Sequence, residues 1–267
     1  MRIAVIGGTG IYDPAIFGGG VEKDVDTPYG KVRLTLVKPK RRKGIELVFM
    51  PRHGASHAVP PHRVNYRANL YALKILGVER ILATNSVGCI SPDLKPGDMV
   101  VPHDFIDFTK SRAGTFYDAE AVHVDVSEPY CPELRQALIE AGKKLGVTVV
   151  DGAVYGCTEG PRFETPAEIR FLGMAGADLV GMTGIPETVL ARELEICYAS
   201  ICTVTNYAAG IARGRLTATE VVEIVEDKQS KLRKVVYGAL GIIPEKRGCD
   251  CKDALKEARV KRDTAEA

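Results

Sequence analysis

Apolar, β-branched runs recur along the chain at 2–6, 31–37, 45–50, 80–84, 98–102, 148–155, 178–182 and 196–205. Short runs of this kind, bounded by glycine, proline or charge, predict strands. Between several of them the apolar residues fall at helical spacing instead, over 65–76, 132–145, 166–175, 186–194 and 219–238. Strands alternating with helices predict an α/β fold with a mostly parallel or mixed sheet. The stretch 31–50 differs, because its two runs are joined by the charged "KPKRRKG" (38–44) with no helix between them, which predicts a hairpin. The expected architecture is a single domain with a central mixed β-sheet flanked by helices on both faces. After Pro244 the composition turns charged, and 252–260 suits a short helix ahead of a frayed end. The chain therefore divides into a domain over 1–244 and a charged tail over 245–267, without internal repeats.

Composition narrows the function classes. A chain of 267 residues, 45% hydrophobic, can bury one large core. A net charge of +2 offers no footprint for nucleic acid, and the basic residues of 38–44 suit a solvated turn. No apolar run approaches the roughly 18 residues of a membrane span, and Met1 leads directly into a strand. Neither a membrane nor a signal peptide is expected, and the expected location is cytoplasmic. The chain holds two Gln and four Asn and is rich in Lys, Arg and Glu, which suits a heat-adapted protein in which intracellular disulfides occur. Of seven cysteines, Cys89, Cys131, Cys157, Cys197 and Cys202 sit in apolar contexts and read as buried thiols. Cys249 and Cys251 form a C-x-C in the tail, open to a disulfide or a redox-labile pair. Two ligands are too few for a structural zinc site without help from elsewhere, so no metal is expected.

The candidate chemistry lies at strand ends, where α/β proteins place ligands. The opening "MRIAVIGGTGIYDP" runs a buried strand into a glycine-rich turn. Read from Gly8, the dinucleotide pattern G-x-G-x-x-G fails at Asp13, and Pro14 breaks the helix that should come next. The turn can still offer backbone N–H groups and the Thr9 hydroxyl to a single anion. Arg52 and His53 come after the next strand, a planar fork and a further donor for phosphate. The run "ILATNSVGCI" ends in Asn85, Ser86 and Gly88, and "DLVGMTGIPE" ends in Met182, Thr183 and Gly184. Each alone suits a plain turn. Gathered on one sheet edge, they build a phosphate pocket.

These blocks, with "PRHGASHAVPPHRVNYRANLYALK", "PGDMVVPHDFIDFT", "EGPRFETPAEIR", "GMTGIPETVLARE" and "VTNYAAGI", resemble the trimeric purine nucleoside phosphorylase and methylthioadenosine phosphorylase family over roughly residues 1–240. The resemblance implies a nucleoside phosphorylase-like fold and phosphorolysis of a purine nucleoside without a cofactor, inorganic phosphate being the second substrate. It implies that Thr9, Arg52, His53, Asn85, Ser86 and Thr183 hold phosphate, that Met182 meets the sugar and that Phe163 stacks near the base. His53 is then a phosphate ligand and not a general base. The resemblance also implies a homotrimer or a dimer of trimers.

Within the family, adenine-type members carry aspartates in the block matching "VTNYAAGI" and Ser in the block matching "RFET", whereas 6-oxopurine members carry Asn and Glu. Here the residues are Asn206 and Glu164, with Ala208 where the adenine type is often acidic. The chemistry agrees: a carboxylate accepts from N1–H of a 6-oxopurine but faces the lone pair of adenine N1, and the Asn206 amide can donate to O6. Glu164 is also a fair helix-start acid ahead of Thr165 and Pro166. Nucleoside-type members place a His about a dozen residues past the Asn to bond the 5′-hydroxyl. No His lies beyond His123 in this chain, and Ala218, Val221, Val222 and Val225 form an apolar face suited to a methylthio group, or simply to core packing. His123 lies in a segment resembling the loop that reaches a neighbouring subunit's 5′ pocket. The expectation is phosphorolysis of methylthioinosine, inosine or guanosine, with Glu164, Asn206 and His53 carrying the chemistry. The alternatives are an adenine-type methylthioadenosine phosphorylase, a non-catalytic nucleotide-binding protein and a dinucleotide oxidoreductase.

Overall fold

The computed structural model describes residues 1–7, 19–39, 44–54, 58–212 and 218–259, with the backbone alone over 218–223 and 225–227. Among the described residues the strands form one eleven-stranded mixed sheet. Its centre is β1 (Arg2–Gly7), β4 (Glu46–Pro51), β5 (Arg80–Cys89) and β11 (Cys197–Tyr207), paired in parallel as β4–β1–β5–β11. These are the nearly continuous apolar runs of the sequence, and parallel strands covered on both faces need such runs. The predicted hairpin is present: β3 (Gly30–Val37) pairs antiparallel with β4, placing Thr35 opposite Phe49.

At β5 the sheet forks. The end of β5 pairs antiparallel with β10 (Leu179–Gly181), which continues in parallel to β9 (Val154–Thr158) and β7 (Asp104–Phe108). On the other branch β11 pairs antiparallel with β6 (Met99–Val101), and β6 pairs in parallel with β8 (Val149–Asp151). The single strand expected over 148–155 is therefore two strands serving different branches. They part at Gly152, whose φ of 92° lies in the left-handed region that glycine tolerates. Two strands have no apolar run to announce them. β2 (Val21–Thr27) is a charged edge strand with four exposed residues leading it, and β7 is half exposed along its length. Charge on an edge blocks pairing with other chains, and it also hides the strand from a hydrophobicity pattern.

The helices α1 (Tyr66–Ile75), α2 (Pro132–Leu145), α3 (Pro166–Met174), α4 (Glu187–Glu193) and α5 (Ala218–Ala239) fall within two residues of their expected bounds. Successive β1 side chains point to opposite faces, as the two-residue period of a strand requires. Ile3 and Val5 pack with Leu134 and Leu138 of α2 and Val235 and Val236 of α5. Ala4 and Ile6 pack with Leu70 and Leu73 of α1 and Leu190 and Ala191 of α4. Among the described residues no helix is long and apolar enough to cross a membrane.

The start of α3 matters to the site, because Glu164 stands two residues before its first residue. Thr165 caps it: its hydroxyl accepts from the Glu168 N–H at 3.2 Å, and the Glu168 carboxylate accepts from the Thr165 N–H at 2.7 Å. Arg162 and this backbone N–H hold the Glu168 carboxyl down at about 2. Thr165→Ala should therefore lower stability by about 1 kcal/mol, the usual value of a polar N-cap, read as a lower urea midpoint at unchanged slope.

The described part of the tail packs back on the core. A 3-10 turn spans Asp250–Asp253, Cys249, Cys251, Ala254 and Ala258 are buried, and Val122 forms an antiparallel bridge to Arg259. The helix expected over 252–260 is thus replaced by a 3-10 turn that begins two residues earlier. Cys249 and Cys251, the pair open to a disulfide, are not bonded to each other in this structure. Cys249 Sγ instead lies 3.6 Å from Cys131 Sγ and 3.4 Å from Cys197 Sγ.

Candidate active site

The ends of the central strands open into one cavity of about 320 Å³, within the size range of nucleoside-sized ligand sites. Arg52 and His53 reach it just past β4, Asn85, Ser86 and Gly88 from β5, Met182 and Thr183 just past β10, and Thr205 and Asn206 from β11. Phe163 and Glu164 reach it from the loop before α3, and Ala208 from the turn after β11. Residues far apart in sequence thus share one wall because their strands are neighbours in the sheet.

One set of lining groups offers donors that could meet an anion. The Arg52 side chain is fully buried and pairs with Glu187 through two nitrogens, Nε to Oε2 at 2.8 Å and Nη2 to Oε1 at 2.7 Å. Nη1 donates to the Thr84 carbonyl at 2.8 Å. Burial alone favours the neutral guanidine, but the Glu187 carboxylate beside it more than offsets this and raises the Arg52 pKa, so the group stays charged. Tyr198 donates its hydroxyl to Glu187 at 2.8 Å. Asn85 donates to the Thr183 hydroxyl at 2.8 Å and accepts from Ser200 at 2.5 Å, which fixes its amide orientation. His53 Nδ1 lies 2.8 Å from the Val59 carbonyl. A carbonyl only accepts, so Nδ1 carries the proton and donates it there, and Nε2 is the second polar atom of the ring. Ser86 Oγ is buried with no hydrogen-bond partner among the described residues. A buried hydroxyl costs free energy unless something bonds it.

The other end carries the groups for a ring. Glu164 Oε1 accepts from the Thr158 hydroxyl at 2.5 Å, which leaves Oε2 of the same carboxylate as a further acceptor. The helix-start role open to Glu164 is filled instead by Thr165 and Glu168. Asn206 donates from Nδ2 to the Tyr207 carbonyl at 2.9 Å, and its Oδ1 accepts from Thr205 at 2.7 Å. Its amide nitrogen keeps a second N–H for a ligand. A Cβ at Gly88 would stand 2.9 Å from Asn206 Nδ2, so the bare backbone there makes room for this amide.

Other expected site residues lie elsewhere. Thr9, with the whole Gly8–Asp13 turn, is outside the described residues, as are the side chains of Ala218, Val221, Val222 and Val225. His123 is exposed and does not line its own chain's cavity; its backbone N–H donates to the Ala258 carbonyl at 2.8 Å. Several supporting residues escape sequence reasoning: Glu187 and Tyr198 behind Arg52, Ser200 behind Asn85, and Thr158 behind Glu164. Glu187 offers one signal, as an acid in the first turn of a helix that opens inside an apolar segment.

Residues 2–241 match the profile of the phosphorylase superfamily. The chain is 50% identical over 270 residues to the 6-oxopurine nucleoside phosphorylase of Pyrococcus furiosus, covering 96% of this chain and 98% of that one. It is 55% identical over 260 residues to a Methanopyrus kandleri protein described as "Probable S-methyl-5'-thioinosine phosphorylase", covering 97% and 99%. Among solved structures, methylthioadenosine phosphorylase from Schistosoma mansoni in complex with adenine superposes with a TM-score of 0.90 at 32% identity, covering 97% of this chain and 98% of that chain.

Proposed function

The chain belongs to the phosphorylase superfamily, and we propose that its cavity is where inorganic phosphate displaces the base of a 6-oxopurine nucleoside. The products are the free purine and ribose 1-phosphate, or methylthioribose 1-phosphate from methylthioinosine. The enzyme is a pentosyltransferase of purine salvage, and relatives 54% and 55% identical carry the 6-oxopurine and the methylthioinosine descriptions respectively.

The chemistry follows from the two ends of the cavity. Phosphate sits among Thr183, Ser86, His53 and Arg52, with Thr9 as a further ligand, and its charge faces C1′ of the sugar beside Met182. As the glycosidic bond breaks, positive charge grows on the sugar and negative charge on the departing purine. The phosphate dianion stabilises the first. Glu164 holds N1–H, Asn206 donates to O6 and interacts with N7, and Phe163 covers the ring, so the base leaves already bonded. This is preorganised electrostatics, in which each well-aimed group contributes about 3 kcal/mol to lowering the barrier. The reaction draws on no cofactor. The observation that carries the reading is that Glu164 and Asn206 line the same cavity as Arg52, His53, Ser86 and Thr183.

A panel of nucleosides with phosphate, varying the base and the 5′ group independently, tests it. Hypoxanthine release should depend on phosphate and exceed adenine release from the matched nucleoside by about 10⁴, the discrimination of a site built to hydrogen-bond its substrate. Comparable rates for the two bases would instead favour the adenine-type reading. Turnover of neither would favour a nucleotide-binding protein. In the same assay Asn206→Asp should move preference toward 6-amino bases, and an unmoved ratio would place the base reader elsewhere.

Assembly into a trimer or a dimer of trimers is part of this reading. Its support is a set of exposed apolar side chains, Phe163 on the cavity wall, Phe171 and Met174 on α3 and Ile211 past β11, which a neighbouring subunit would cover. Sedimentation of the purified protein measures it directly.

A further inference from the structure

Four of the seven cysteines converge on one point, and none of the four lines the nucleoside cavity. Cys131 is the N-cap of α2, Cys197 is the first residue of β11, and Cys249 and Cys251 belong to the tail. All four are buried, Cys197 completely. Their sulfur atoms all lie within 4.8 Å of one another. Tetrahedral zinc with Zn–S bonds of about 2.3 Å needs sulfur–sulfur edges of about 3.8 Å, and the Cys197–Cys249 and Cys131–Cys249 separations are 3.4 and 3.6 Å. The help that the C-x-C pair lacks in sequence comes from two thiols that read there as ordinary core residues.

The surroundings suit thiolates. Arg192 Nη1 stands 3.5 Å from Cys251 Sγ, and Cys131 sits at the positive end of a fourteen-residue helix.

We propose that Cys131, Cys197, Cys249 and Cys251 form a closed tetrathiolate zinc site that staples the C-terminal tail to the core. Binding replaces four S–H bonds by four Zn–S bonds and releases four protons, with no change of oxidation state. The resulting charge of −2 is offset in part by Arg192 and the α2 dipole. With four protein ligands and no open position the site is structural. It ties together three segments well separated in sequence: the start of α2, the start of β11 and the turn at Asp250–Asp253.

The test uses the full chain, purified without chelator or reductant. Elemental analysis should find one zinc per chain. After chelation in denaturant all seven cysteines should react as thiols. Cobalt(II) added to the metal-free reduced protein should give the red-region bands and near-ultraviolet charge transfer of a tetrahedral tetrathiolate, bleached by zinc. The double variant Cys249→Ser, Cys251→Ser should lose zinc to background and unfold at lower temperature, with phosphorolysis under mild conditions retained because neither residue touches the cavity. If that variant does not fold, the cobalt spectrum of the unaltered chain decides. A chain lighter by two hydrogens for each pair of missing thiols would mean disulfides and overturn the proposal. So would iron in place of zinc, or seven thiols with no zinc taken up after anaerobic reconstitution.

Discussion

Glu164→Gln should lower kcat/KM for inosine by about 100-fold or more while leaving the KM for phosphate within about twofold. The lower bound is the usual cost of removing one charged hydrogen-bonding group aimed at a developing charge. The geometry says why the loss falls on the base alone. Thr158 holds Oε1 of Glu164 at 2.5 Å, so the carboxylate is fixed with its other oxygen as the acceptor. In the variant the amide carbonyl takes the Thr158 hydroxyl, and the NH₂ then meets N1–H, donor against donor. Adenosine, whose N1 accepts, should lose less or gain. Arg52, Asn85 and Thr183, proposed to hold phosphate, have separate partners and should not feel the change. Steady-state kinetics with each substrate varied separately measures both halves, and unchanged turnover of inosine would remove Glu164 from the base site.

Glu187→Ala should be the most destabilising single change near the cavity, by about 3–5 kcal/mol, the usual cost of stranding one member of a buried ion pair. Both side chains are fully buried, so the guanidinium would lose its counter-charge in the interior. A loss of that size is a large share of the roughly 5–15 kcal/mol that holds a domain folded. It should register as a marked fall in the urea midpoint, accompanied by loss of phosphate affinity as Arg52 turns from its place. Tyr198→Phe removes only the hydroxyl that Glu187 accepts at 2.8 Å and should cost about 1 kcal/mol. If Glu187→Ala and Tyr198→Phe cost the same, the carboxylate is not what keeps Arg52 charged in the interior.

How much of this is legible in the sequence depends on whether a residue's role is local. The parallel core strands and all five helices show in the hydrophobic period, because burial on both faces or on one stripe dictates it. The site's strand-end residues are legible only together, since each small polar residue after an apolar run also suits a plain turn and it is their recurrence with the family's motifs that marks them. β2 and β7 are not, because half-exposed strands lack the run. The division of 148–155 is not, because one glycine's φ decides it. Glu187 is invisible as a partner because 135 positions separate it from Arg52, and only the sheet order brings them together. Cys131 and Cys197 are readable as buried, but their convergence on the tail is a tertiary fact that apolar context cannot reveal.

Between Val204 and Asn206 the register of β11 against β5 slips, so that Val204 faces Val87 and Asn206 faces Gly88, with Thr205 the extra residue. Asn85 and Ser86, proposed above to hold phosphate, lie before this slip, and the Asn206 amide, proposed to read the base, lies after it. A bulge can lengthen, shorten or re-aim the chain downstream while the ladder behind it keeps its alignment. The fold is thus jointed between the residues proposed for its two substrates. A change in the bulge can therefore re-aim Asn206 while Asn85 and Ser86 keep their places in the ladder.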